Sequence, residues 1–285
     1  MENRYDDYYV EIDTERHPFS LNLREVWQYR DLIVMFTKRD FKLTYKQTVL
    51  GPIWIFLNPF LTSIMYTLVF GRIAGIRTDG IPQLVFYLSS NAIWQYFAGC
   101  VTKNSKTFTS NANVFGKVYF PRLTVPISNV LSSMIQFGIQ MIMVLVFLAY
   151  YVVVGQVHPN WWAWPFIPLV LIVLGVMGLG VGIIISSFTT KYRDLSILVS
   201  FGVQLWMYAT PIVYPLSQIG ESSIFTKLIM FNPATAPIEF FRYAVLGAGT
   251  VAPGYLVYSA VFAVIVILYG IIVFNRIEKT FMDIV

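Results

Sequence analysis

The sequence predicts an all-α integral membrane protein with six transmembrane helices, an N-terminal amphipathic interface helix and two short re-entrant helices between spans five and six. Hydrophobic residues make up 56% of the 285 residues and charged residues only 12%, whereas soluble domains carry about 25% charged residues. No Asp or Glu occurs in the 114 residues from Gly80 to Arg193. Long apolar runs recur at the length of about 20 residues that crosses a bilayer.

The N-terminal part of the chain divides into two segments. Residues 1–20 form an acidic, Tyr-rich tail, and residues 21–285 form one membrane domain. Within 23–46, apolar residues recur at helical spacing while charged residues fill the remaining positions. This pattern is typical of an amphipathic helix that lies along a membrane surface.

Six later runs are long enough to cross the membrane. They are Pro52–Ile76, Pro82–Val101, Leu123–Val154, Trp164–Thr190, Leu195–Tyr214 and Gly254–Phe274. Two further apolar pieces, Ile224–Phe231 and Ile238–Leu246, are too short to cross and flank Asn232-Pro233. We interpret them as helices that dip into the outer leaflet and return, and we expect their irregular backbone to be buried in protein or to face water.

The distribution of Lys and Arg predicts the orientation. Sixteen of these residues fall before span one, after the even-numbered spans or in the tail, and four fall on the other side. Because basic loops stay inside, both termini are expected in the cytoplasm. The net charge of +5 therefore reflects topology, and no nucleic acid is expected as a partner.

Several kinds of chemistry are missing from the sequence. It has no G-x-x-x-x-G-K-[ST] phosphate loop, so ATP hydrolysis by that route is excluded. No Asp, Glu or His lies in the middle of a predicted span, so we expect no metal site, no catalytic residue and no ion-coupled carrier. An energised transporter of this kind needs a partner that supplies the energy.

Six segments, in the same order, resemble the permease subunits of ATP-binding-cassette exporters of the type-2 branch, which move polysaccharides such as O-antigen, capsule or teichoic acid. One departure is Thr210, where Ser is commoner in that family before the proline. The segments are Leu23–Pro59, Asn111–Pro126 (NANVFGKVYFPRLTVP), Lys191–Asp194 (KYRD), Thr210–Pro215 (TPIVYP), Phe231–Gly247 (FNPATAPIEFFRYAVLG) and Phe274–Asp283 (FNRIEKTFMD).

The resemblance implies the assembly and its partners. Two permease copies would join two copies of a cytosolic ATPase, which would bind ATP and Mg, while this chain would bind no cofactor. A lipid-linked glycan would pass between the permeases. The loop helix Thr102–Phe115 would couple to the ATPase, although a plain connector is the alternative, and its candidate residues are Lys103, Lys106, Asn111, Asn113 and Phe115.

Two more sets of residues have a functional and a structural interpretation. Lys117 and Arg122 are candidates for a cytoplasmic gate that meets the phosphate of a lipid carrier, because guanidinium and ammonium groups bind phosphate. A membrane-surface anchor is the alternative.

Aromatic rings could line a channel, since sugars rest on ring faces, or they could serve in packing and in aromatic belts at the lipid interface. The channel candidates are Tyr66, Tyr87, Trp94, Tyr96, Phe97, Trp206 and Tyr208.

Two patterns concern helix packing. Glu239 and Arg242 stand three residues apart and could either pair with each other or gate the outer mouth. The glycines between Gly175 and Gly182 resemble a nucleotide loop, but they lie inside an apolar helix, where small residues allow close helix contact.

The sequence therefore predicts the permease subunit of an exporter for a lipid-linked polysaccharide. An exporter of drugs or small lipids is the first alternative, and a membrane-embedded glycan-processing enzyme is the second. The missing acids and histidines in the spans count against the enzyme.

Overall fold

The computed structural model describes residues 23–46, 48–117, 120–189, 192, 194–219 and 224–284, and the predicted tail 1–20 lies outside these residues. The part of the chain that the structure describes contains helices and no strands, which confirms the all-α fold class. The helices are α1 (Leu23–Gln28), α2 (Arg30–Tyr45), α3 (Trp54–Tyr66), α4 (Gln83–Asn104), α5 (Thr107–Phe115), α6 (Thr124–Val153), α7 (Ile167–Thr189), α8 (Leu195–Tyr208), α9 (Ile224–Met230), α10 (Thr235–Leu246) and α11 (Pro253–Ile284).

Four described helical segments are long and apolar enough to cross a membrane. Two of them extend beyond a single α-helix. A 3-10 turn precedes α3 and a π-helical segment follows it, and a 3-10 segment precedes α7. The four segments are Gly51–Ile73, Thr124–Val153, Trp161–Thr189 and Pro253–Ile277. They correspond to predicted spans one, three, four and six.

The predicted spans two and five do not meet both criteria. Helix α4 has 22 residues, or about 33 Å of length, but it is more polar than the other long helices. Helix α8 has 14 residues, or about 21 Å, against a hydrocarbon core of about 30 Å. Six crossings therefore remain a proposal, whereas four are supported by length and composition.

Helix α4 forms the centre of the bundle. Every residue from Val85 to Trp94 is buried, and the helix is surrounded by α3, α6, α7, α8 and α10. Tyr96 lies against Phe137 of α6 with 5.7 Å between ring centroids, and Phe97 lies against Trp206 of α8 at 5.0 Å. The most polar long helix is thus covered by the more apolar ones.

The glycines of α7 serve close helix packing, as the sequence predicted. A Cβ at Gly178 would lie 2.6 Å from the Cβ of Cys100 on α4, and one at Gly180 would lie 2.8 Å from the backbone nitrogen of Ile267 on α11. Helix α7 therefore approaches α4 on one face and α11 on another. These glycines lie within a helix and at its contacts, so they do not form a nucleotide-binding loop.

The predicted amphipathic segment 23–46 is helical but broken. Tyr29 separates α1 from α2, with φ −92° and ψ 23°. Val26, Ile33 and Phe36 are buried, and the hydroxyl of Thr37 donates to the carbonyl of Ser128 at 3.4 Å. Helix α2 thus rests against the first turns of α6.

We expect the substitution Gly180→Ala to lower stability by about 1–3 kcal/mol, because its Cβ meets backbone that cannot rotate away. The matched control is Gly138→Ala on α6, where nothing lies within 4 Å of the added Cβ. That change should be neutral or stabilising by up to about 1 kcal/mol, since Ala favours helix over Gly. Thermal unfolding of both variants in detergent measures the difference, and equal midpoints would contradict the packing described for α7.

Candidate functional site

Helix α5 is held against one end of the bundle by an aromatic cluster. Phe108 stacks on Phe274 of α11 with 4.7 Å between ring centroids, and Phe115 lies 5.7 Å from Phe120. The hydroxyl of Thr189 on α7 donates to the carbonyl of Ser105 at 2.8 Å. Since only Ser105 and Lys106 separate α4 from α5, the two helices form one connected unit.

Of the residues predicted for coupling or phosphate binding, Asn111, Phe115 and Arg122 are buried and Lys103 is half-buried. Phe115 is 3% exposed, so its ring holds α5 to the bundle and presents no surface to a partner. Lys103 belongs to the last turn of α4, and its Nζ donates to Ser132 Oγ at 3.1 Å and to Gln136 Oε1 at 3.2 Å on α6. Arg122 is 8% exposed and its guanidinium carbon lies 5.6 Å from the centroid of the Phe115 ring.

The outward face of α5 is hydrophilic. Thr109, Ser110, Asn113 and Lys117 are exposed, and Lys106 is partly exposed at the N-cap position. Lys106, Asn113 and Lys117 are thus the predicted residues on this face, whereas the partly exposed Lys103 is hydrogen-bonded to α6. This face offers two cations and several hydrogen-bonding groups to a docking protein.

Asn111 has a structural position that the sequence did not indicate. Its φ of −117° and ψ of 15° put a kink in α5, and its Oδ1 accepts a hydrogen bond from Nη2 of Arg39 at 3.2 Å. Arg39 also pairs with Asp40 at 2.8 Å. Helices α2 and α5 are therefore joined through residues 72 positions apart, a separation at which sequence periodicity gives no signal.

The predicted channel aromatics divide into buried and accessible rings. Tyr87, Trp94, Tyr96 and Phe97 of α4 are at most 3% exposed, because α4 is the central helix. They pack against this chain's own helices and face no passage in it. The accessible or partly accessible candidates are Tyr66, Trp206 and Tyr208.

These three rings lie close together on α3 and α8. The Tyr66 hydroxyl contacts the sulfur of Met207 at 3.4 Å. Tyr208 is 46% exposed. The indole nitrogen of Trp206 donates to Oδ1 of Asn232 at 3.0 Å. Trp206 and Tyr208 line one pocket with Asn232 of the turn between α9 and α10, and Tyr66 contacts the same helix, so we refer to the three as the aromatic surface of α3 and α8.

That turn is fixed by the amide of Asn232. Its Nδ2 donates to Thr210 Oγ1 at 2.8 Å and to the carbonyl of Ala209 at 3.2 Å, and its Oδ1 accepts from the backbone nitrogen of Ala234 at 3.1 Å. The polar groups of a non-helical turn are satisfied in this way within the protein. Helices α9 and α10 lie where the two re-entrant helices were predicted.

Glu239 and Arg242 form a buried ion pair on α10. Each is 1% exposed, and Nη1 of Arg242 lies 2.5 Å from Oε1 of Glu239. Nη2 of Arg242 donates to Ser90 of α4 at 3.1 Å and to the carbonyl of Pro211. The other oxygen of Glu239 accepts from the backbone nitrogen of Thr250 at 3.1 Å. The pair therefore connects α10 with α4, the segment after α8 and the loop before α11.

A model of the ABC-2 type transporter family matches residues 31–246, from α2 to the end of α10. The chain belongs to that family. It is a membrane transport subunit, and membership implies a membrane context and an ATP-binding-cassette ATPase as partner. The matched region includes the hydrophilic face of α5, the aromatic surface of α3 and α8, and the buried ion pair.

Similar proteins agree with the family. One O-antigen export system permease protein RfbA from Klebsiella pneumoniae is 32% identical over 255 residues, which cover 89% of this chain and 95% of the relative. A second protein of that name from the same species is 30% identical over the same shares. An O-antigen export system permease protein RfbA from Myxococcus xanthus is 28% identical over 77% of this chain and 82% of its own length.

We expect Arg242→Met to destabilise the protein by about 3–5 kcal/mol, because Glu239 would remain buried without its partner. The double change Glu239→Leu/Arg242→Met removes both charges and should recover most of that loss. Arg72→Met, at an exposed position, is the control and should change stability by less than about 0.5 kcal/mol. Thermal midpoints and folded yield in detergent measure the effect. A double variant as unstable as the single one would contradict this account of the pair.

Proposed function

We propose that this chain is the permease subunit of an ATP-driven exporter that carries a lipid-linked polysaccharide, such as O-antigen, capsule or teichoic acid, across the bacterial cytoplasmic membrane. The observation that carries the proposal is the similarity to O-antigen export permeases along 95% of the length of two of them. ATP and Mg would be bound by the partner ATPase, and the permease itself would bind no cofactor.

The proposed assembly contains two permease copies and two ATPase copies. In each permease, α4 and α8 would supply the second and fifth crossings, and α9 and α10 would be the re-entrant pair. Both termini and α5 would lie in the cytoplasm, in keeping with the 16 to 4 distribution of Lys and Arg and the positive-inside rule.

The rigid attachment of α5 supports a coupling role. A force on the exposed face of α5 would act directly on α4, since the Phe108–Phe274 and Thr189–Ser105 contacts hold the junction. In the N-terminal half of α4, Ser90 contacts Arg242 of α10. From Ser90 to Asn104 the helix spans about 21 Å. ATP-driven movement at α5 would therefore reach the outer element through one continuous helix.

The accessible aromatic rings support a conduit between the two permeases. Tyr66, Trp206 and Tyr208 lie on α3 and α8, and the nearby α8 residues Ile197 and Phe201 are 73% and 59% exposed in the single chain. A second copy facing this surface would enclose a passage lined by ring faces, along which a sugar chain could slide without ionic contacts. Lys117 would meet the lipid-carrier phosphate at the cytoplasmic rim, with Arg122 holding Phe115 beneath it.

We expect the double charge reversal Lys106→Glu/Lys117→Glu to lower copurification of the ATPase and surface glycan at least tenfold, which corresponds to about 1.4 kcal/mol of docking energy. The matched control is Lys227→Glu, an exposed lysine on α9 at the opposite end of the bundle, which should bind the ATPase normally. Loss of copurification would also place α5 on the cytoplasmic side. Normal copurification and normal export by the double variant would reduce α5 to a connector.

A further inference from the structure

A polar cavity of about 210 Å³ lies between α3, α4 and α6. Its lining does not include the accessible rings Trp206 and Tyr208. Its lining residues are Trp54, Ile55, Asn58, Pro59, Thr62, Gln95, Gln136 and Gln140.

The position of each polar side chain follows from helical spacing. Trp54, Asn58 and Thr62 are four residues apart and lie on one face of α3, and Gln136 and Gln140 share one face of α6, because residues at i and i+4 are neighbours on a helix. On α4, Gln95 is exposed between the buried residues Trp94 and Tyr96. Three helices thus turn amide groups toward one space.

Amide side chains in a membrane-crossing segment cost free energy when they have no hydrogen-bond partner. Asn58 and Gln136 lie in segments apolar enough to cross a membrane, where polar side chains are rare and mark binding sites or pathways. The buried Oε1 of Gln140 has no hydrogen-bond partner within the described chain. Pro59 has no N–H, so the carbonyl of Ile55, another lining residue, lacks its usual backbone hydrogen bond within the helix. The cavity therefore presents hydrogen-bonding capacity that the protein does not use.

The lining indicates the chemical class of the ligand. An amide side chain both donates and accepts hydrogen bonds, as a hydroxyl group does, so four amides fit a ligand rich in hydroxyls. The Thr62 hydroxyl donates to the carbonyl of Asn58 at 2.8 Å and can still accept a hydrogen bond. The described lining residues include no carboxylate, Lys or Arg, which does not favour a charged ligand. Trp54 adds an apolar ring face next to these polar groups.

The size of the cavity restricts the ligand further. A volume of about 210 Å³ is smaller than the pockets of about 300–1,000 Å³ that hold drug-sized ligands. One sugar ring matches this size, whereas an oligosaccharide does not. A lipid tail would offer no hydrogen-bond partner to Oε1 of Gln140.

We propose that this cavity is a binding subsite for a single uncharged sugar ring, with Asn58, Gln95, Gln136 and Gln140 as its hydrogen-bonding residues and Trp54 as its stacking face. The inference rests on the proposed function, because it assigns a recognition site to part of the exported glycan. Gln136 is positioned by Lys103, whose Nζ donates to its Oε1 at 3.2 Å. The amide nitrogen of Gln136 is thereby turned away from Lys103.

Saturation-transfer NMR on the purified permease in lipid nanodiscs tests the proposal, with methyl glycosides of glucose, mannose and galactose as probes and no sugar-based detergent. We expect saturation of the ring protons with at least one glycoside. The near-isosteric double change Asn58→Leu/Gln95→Leu should weaken that binding about tenfold, as expected for the loss of two hydrogen bonds. Gln28→Leu, at an exposed amide on α1, should leave it unchanged.

Three outcomes would overturn the proposal. They are no saturation with the unaltered permease, equal binding by the double variant with a normal thermal midpoint, and displacement of the glycosides by inorganic phosphate. Surface glycan in cells, measured in parallel, separates this inference from the proposed function. Export without glycoside binding rejects the subsite alone, whereas glycoside binding without export of any glycan rejects the exporter.

Discussion

The fold depends on covering one polar helix within an apolar bundle. Helix α4 carries Ser89, Ser90, Asn91 and Asn104, all buried, and polar groups cannot face lipid without a large cost. The surrounding helices satisfy part of this requirement, since Nδ2 of Asn129 on α6 donates to Oδ1 of Asn104 at 3.0 Å. Packing of α3, α6, α7, α8 and α10 around α4 follows from this constraint.

The two ends of α4 then acquire different properties. At one end α5 continues from α4 and exposes a hydrophilic face, while its apolar side is fixed by Phe108 and Phe115. In the N-terminal half of α4, Arg242 brings α10 against Ser90. A helix that is buried over most of its length and attached at two separated points is suited to transmit movement between them.

The sequence predicted the elements whose signal lies within one helix. Spans one, three, four and six were predicted close to their observed bounds because length and apolarity suffice to recognise them. The close approach of α7 to its neighbours was likewise indicated by its glycines. Helices α4 and α8 were recognised as apolar runs. They differ from the other predicted spans because α4 is more polar and α8 has only 14 residues.

Most of the candidate site needed the three-dimensional arrangement. An apolar residue such as Phe115 is equally suited to contact its own chain or a partner, and periodicity cannot distinguish these, so only the structure places its ring against its own chain, where it is 3% exposed. Periodicity likewise could not tell that the rings proposed for the channel on α4 are packed against neighbouring helices. The Arg39–Asn111 bond and the amide cavity join residues distant in sequence, whereas Glu239 and Arg242 could be paired from their spacing alone.

The most direct test of the account is ATP-dependent translocation by the purified components. Permease and ATPase would be reconstituted in vesicles with the ATPase facing outward, together with a radiolabelled lipid-linked glycan in the outer leaflet. The account predicts that Mg-ATP moves the glycan to the lumen, where an added glycosidase cannot reach it, and that vesicles with the ATPase alone show no movement. Full ATPase activity with the glycan still accessible to the glycosidase would contradict it.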